Sequence, residues 1–74
     1  MDKLLKEMIE EINPFDEFDE DTELLEEGIL DSLSVMVLVE RSEEALNMKI
    51  PKEEMTLENF NTLNSIKQMI KRIQ

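Results

Sequence analysis

The sequence predicts an all-α fold, a small bundle of three main helices plus one short helix, and three observations predict it. Apolar residues recur at helical spacing in three separate stretches. Strong helix formers, Leu, Glu, Lys and Met, dominate the composition. One Gly and two Pro in 74 residues are too few for a turn-rich β fold. The length suits one domain spanning residues 1–74, with a radius of gyration of about 11 Å. Such a chain has little room for a deep pocket of the usual ~300–1,000 Å³. The high charge raises disorder as an alternative, and the helical register of the apolar residues argues against it.

The first helix reads from residues 3–12, where Leu4, Leu5, Met8, Ile9 and Ile12 make one stripe. Asp2 stands where an N-cap belongs, and the helix should end before Asn13-Pro14. Residues 13–31 form a long loop between the first and second helices, acidic and aperiodic as far as Thr22. Leu24, Leu25, Ile29 and Leu30 can pin it to a core, and Gly28 can supply a positive φ. A loop this long in a compact domain is often functional. The second helix should open at Asp31-Ser32-Leu33, with Asp31 as N-cap, and run to Ala45 or Leu46. Ile50-Pro51 begins a connection in which Met55, Leu57 and Phe60 serve as anchors for a short third helix or 3₁₀ turn. The last helix should run from Thr62 to Ile73, with Leu63, Ile66, Met69, Ile70 and Ile73 inward and Thr62 or Asn61 as cap. Lys67, Lys71 and Arg72 lie toward its C-terminal end, where cations suit the dipole.

Composition narrows the chemistry. The chain has no His and no Cys, so the commonest general base, the thiolate nucleophile and Cys/His zinc sites are all absent. The chain is not expected to be an enzyme. Nineteen acidic residues against eight basic give a formal net charge of −11. That charge speaks against nucleic acid and against anionic membrane surfaces. It favours basic patches on other proteins, with long-range steering toward them. No apolar run approaches the ~20 residues of a membrane span, and nothing resembles a signal peptide. Together with the lack of cysteine, this leads us to expect a cytoplasmic protein without membrane insertion, and a monomer. The acidic stretch Asp16–Glu23 lacks the Asp-x-Asp-x-Asp-Gly ligand order of a calcium loop.

The second helix has two apolar faces. At about 100° per residue, Val35, Leu38, Val39, Ser42, Ala45 and Leu46 fall on one broad side, the natural core stripe. Leu33, Met36 and Val37 fall opposite, with Glu40 and Glu44 continuing that side. One helix of a three-helix domain cannot easily bury both. Either the second face docks a partner, an apolar cluster rimmed by carboxylates, or the long loop folds over it.

Ser32 is the candidate for chemistry. Its hydroxyl lies in the first turn, near unpaired N–H groups and the positive dipole end, where a phosphate ester is electrostatically comfortable. Without His or a Gly-x-Ser-x-Gly elbow it cannot be a self-activated nucleophile. On these grounds alone the ordinary helix-start residue is the stronger reading, since Asp-Ser pairs are common at helix starts.

The segment Gly28-Ile-Leu-Asp-Ser-Leu33, opening a helix after a long acidic loop and about 19 residues before Ile50-Pro51, resembles the attachment motif of the acyl and peptidyl carrier protein family. The resemblance covers essentially the whole chain. It implies that a phosphopantetheinyl transferase moves 4′-phosphopantetheine from coenzyme A onto Ser32, flanked by Asp31 and Leu33. It implies a free-standing carrier that presents a thioester-linked acyl or aminoacyl cargo to activating and transferring enzymes with basic docking patches. The second helix would be the docking element, through Asp31, Leu33, Met36, Glu40 and Glu44, with Val37 on the same exposed face. Core positions would be Leu38, Leu46, Ile50 and Leu63.

Some features depart from carriers of housekeeping fatty-acid synthesis and suggest a specialised pathway. Ile29-Leu30 replaces a small residue ahead of Asp-Ser-Leu, Ser34 an acidic residue after it, and Val37 an acidic residue on the docking helix. The Ile-Leu-Asp-Ser pattern is closer to peptidyl carriers and to the D-alanyl carrier protein, which Glu58–Ile66 also resembles. A reading of another class is an acidic helical interaction module without a prosthetic group.

Overall fold

A computed structural model of the chain describes residues 2–74. Its elements are α1 (Asp2–Ile12), α2 (Ser32–Leu46), a 3₁₀ turn at Lys52–Glu54, α3 (Leu57–Phe60) and α4 (Leu63–Ile73). No strand occurs among the described residues. The radius of gyration is 11.1 Å, and the principal extents are 29 × 21 × 20 Å.

The helices form where apolar spacing and caps coincide. α1 buries Leu5, Met8 and Ile9, with Leu4 and Ile12 packed at the core's edge. The Asp2 cap falls outside the described side chains. α2 opens at Asp31, whose carboxylate accepts the Ser34 N–H, and stops at Asn47, which takes left-handed backbone at φ 51°. α4 opens at Thr62, whose hydroxyl accepts the Ser65 N–H at 3.0 Å. It buries Leu63, Ile66, Met69 and Ile70. α1 packs against both α2 and α4, so all three long helices share one core. Deleting a fully buried aliphatic side chain from such a core costs about 2–5 kcal/mol.

The connection before α4 holds both a 3₁₀ turn and a four-residue helix. The Thr56 hydroxyl caps α3, and the Asn59 side-chain amide donates to the Glu54 carbonyl at 2.7 Å. Met55 and Phe60 anchor this region as expected, but Leu57 does not: it stands 77% exposed. A helix of about one turn presents only one face inward, and Phe60 occupies it. Ala45 is likewise exposed rather than on the core stripe. On the wheel it sits about 60° from the stripe's centre, beside Leu4, Met8 and Arg41 at the outer seam of α1 and α2.

The long loop is fastened rather than draped. Leu24, Ile29 and Leu30 are buried, and Phe18 and Leu25 pack against the core. The Leu24 N–H donates to the Asn61 carbonyl at 2.6 Å, and the Leu30 N–H to the Leu24 carbonyl at 3.0 Å. Asp21 accepts the Asn64 side-chain amide at 2.8 Å, joining the loop to the first turn of α4. Gly28 has φ +75°, and a Cβ there would meet nothing within 4 Å. Glycine is therefore needed for backbone conformation, not for space.

Candidate functional site

The site is the start of α2. Asp31 has extended backbone, and its Oδ1 accepts the Ser34 N–H at 2.8 Å. The Ser34 N–H, and then the Ser34 hydroxyl, hold the Asp31 carboxyl below the usual carboxylate range. Its carbonyl accepts the Val35 N–H at 2.9 Å, so the first turn is closed from both ends of one residue. Ile29 and Leu30, buried immediately before it, fix the chain's entry into the helix. Ser32 follows as the first helical residue and is exposed. Its hydroxyl is offered to solvent at the positive end of a 15-residue helix.

The neighbouring acid, Asp31, is a cap whose ionised form the Ser34 donors stabilise, so it is not held as a base for Ser32. The site can therefore present a hydroxyl to another protein's active centre. Beside Ser32 lies a shallow cleft of about 190 Å³, lined by Leu25, Val35, Met55, Thr56, Leu57 and Phe60. A flexible arm on Ser32 would find open space and an apolar wall at its root. The exposed hydroxyl, helix terminus and cleft fit a phosphate-linked group at this position.

The two faces of α2 separate as the wheel predicts. Leu38, Val39 and Ser42 are buried, and Val35 and Leu46 pack at the core's edge. Leu33 is 76% exposed, Met36 53% and Val37 37%. The loop does not fold over them. Glu40 and Glu44 are exposed along the same side. Glu43 is different: its carboxylate accepts the Ile50 N–H at 2.8 Å and ties the end of α2 to the Ile50-Pro51 connection.

Two residues of the turn after α1 escape the sequence reading. Asn13 donates through its side-chain amide to the Ile29 carbonyl at 3.1 Å and accepts the Phe15 N–H at 3.1 Å. It thus joins the end of α1 to the segment entering α2. Phe15 is 93% exposed. An Asn before Pro, following a helix, is a recognisable turn signal, but its long-range partner is not.

A family model described as the phosphopantetheine attachment site matches residues 3–70. The D-alanyl carrier protein of Lactococcus lactis subsp. cremoris (strain MG1363) is 41% identical over 68 residues, 89% of this chain and 86% of that protein. That of Streptococcus equi subsp. zooepidemicus (strain MGCS10565) is 41% identical over 54 residues, 73% of this chain and 68% of that protein. That of Streptococcus uberis (strain ATCC BAA-854 / 0140J) is 35% identical over 54 residues, with the same coverage.

Proposed function

Because the chain belongs to the phosphopantetheine-attachment family of carrier proteins, we propose that Ser32 is the attachment residue and that the cargo is a D-alanyl group. The observation that carries the first part is the exposed Ser32 hydroxyl at the capped start of α2. The second part rests on the three D-alanyl carrier relatives, alike over most of their length.

Loading is a substitution at phosphorus. Ser32 Oγ forms a bond to the pantetheine-bearing phosphorus of coenzyme A, the pyrophosphate P–O bond breaks, and adenosine 3′,5′-bisphosphate leaves. The hydroxyl proton goes to a base of the transferase, since the chain contains no His. The prosthetic group supplies a thiol that carries the cargo as a thioester. The chain's own part is presentation: Asp31 fixes the first turn, the N-terminal dipole suits the phosphodiester, and the buried Ile29 and Leu30 keep Ser32 outside the fold.

Docking falls to the exposed side of α2. Leu33, Met36 and Val37 provide apolar contact next to Ser32, and Glu40 and Glu44 extend it with negative charge. Partner enzymes would meet it with an apolar patch rimmed by Lys and Arg. The reading places the carrier in the cytoplasm, where coenzyme A is available.

Isolation of the protein from its own cells under acid quench, with intact mass and peptide mapping, tests the reading. The Ser32 peptide should carry phosphopantetheine bearing one alanyl group that hydroxylamine releases, with D configuration by chiral analysis. A different acyl group would overturn the cargo assignment. An unmodified Ser32 in cells that modify other carriers would overturn the attachment assignment.

A further inference from the structure

We infer that Phe15 is a second docking knob, separate from α2, that seats in an apolar socket rimmed by Lys and Arg on the phosphopantetheinyl transferase. The inference rests on the assignment of Ser32 as the attachment residue. A single exposed apolar side chain is ordinary on a protein surface, but three observations set Phe15 apart.

First, Phe15 is held rather than loose. Pro14 fixes the backbone before it. Asn13 Oδ1 accepts the Phe15 N–H, and Asn13 Nδ2 donates to both Asp16 Oδ2 (3.0 Å) and the Ile29 carbonyl. The turn is thus built before any partner arrives, which lowers the ordering cost of burying the ring. Phe18, three residues on, does the work of pinning the loop to the core. Phe15, 93% exposed, contributes nothing to that core.

Second, the turn that carries the knob is tied to the segment that enters α2. Asn13 bonds to Ile29, three residues before Ser32. An enzyme acting on the Ser32 hydroxyl itself cannot stand off on a flexible arm; it must sit over the start of α2. An ordinary interface covers about 800 Å² per partner, roughly a sixth of this molecule's 4943 Å² surface.

Third, the charge around it selects the partner. Glu10, Asp16 and Glu17 border the same groove, against one cation, Lys6. A second copy would bring the same carboxylates and the same net charge of −11, which oppose self-association. A basic protein surface is complementary.

Steady-state loading from coenzyme A by a broad-specificity phosphopantetheinyl transferase, read by intact mass, tests the inference. Phe15→Ser should raise the KM for the carrier roughly ten- to a hundredfold, the value of burying one such side chain, with kcat and melting temperature unchanged. Phe15→Leu should restore most of the affinity. Glu17→Gln should raise KM less and make it less sensitive to salt. A Phe15→Ser KM equal to wild type, with wild-type Ser32 fully loaded, would overturn the knob and leave the Ser32 assignment standing. No loading of folded wild type would overturn both. A wild-type dimer that Phe15→Ser dissolves would assign the knob to a second copy instead.

Discussion

The two faces of α2 have similar apolar content and opposite fates. Leu38, Val39 and Ser42 face α1 and the shared core. Leu33, Met36 and Val37, as apolar as their counterparts, stay in contact with solvent. Hydrophobicity alone therefore does not decide which side is core. Geometry does: α1 packs against one side, and the loop, sewn to Asn61 and Asn64, is not available to cover the other.

The comparison can be broken from either side. Leu38→Ala should cost about 2–5 kcal/mol in denaturant unfolding, because Leu38 is fully buried and leaves a cavity. A cost under about 1 kcal/mol would mean the buried face is poorly packed. Gly28→Ala should cost about 1–2 kcal/mol from the left-handed backbone alone, since no side-chain contact opposes a methyl group there. An unchanged stability would show that the loop relaxes at that point. Added salt should raise the melting temperature by relieving the self-repulsion of a chain with net charge −11. A lower melting temperature in salt would contradict that account.

Acid sharpens the contrast between site and surface. Glu23 is raised above its ordinary 4.5 by sharing a hydrogen bond with Glu26 and by its charge. A raised folded value favours the folded state as pH falls, fully so below 4.5, and the gain is lost as pH rises through the folded value. Asp31, lowered by the Ser34 donors, and Asp19, lowered by the Asp21 N–H and the Thr22 hydroxyl, act the other way. Their contribution is present above 3.8 and lost as pH falls through their lowered values. Melting temperature should therefore rise gently as pH falls toward 4.5 and drop below about 3.8. Asp31→Asn should blunt only the acid-side fall.

Much of this was legible beforehand. The three long helices follow from apolar spacing, and the caps Asp31 and Thr62 mark their starts because Asp and Thr side chains accept first-turn N–H groups. The separation of Leu33, Met36 and Val37 from Leu38 and Val39 needed only a wheel. What stayed hidden has physical reasons. Periodicity has no grip on a four-residue helix, so Leu57 looked like an anchor beside Phe60. It has none on an aperiodic loop either, so Phe15 and Phe18 were indistinguishable until one packed and the other did not. Long-range hydrogen bonds, Asn13 to Ile29 and Glu43 to the Ile50 N–H, depend on the fold and leave no local pattern.

Met36→Ser gives the most direct test, with melting temperature and transferase KM for Ser32 loading measured on the same preparation. An exposed docking residue should leave stability within about 0.5 kcal/mol of wild type while the KM for the carrier rises about tenfold. A stability loss comparable to that of Leu38→Ala, with KM unchanged, would mean that the two faces of α2 had been assigned the wrong way round.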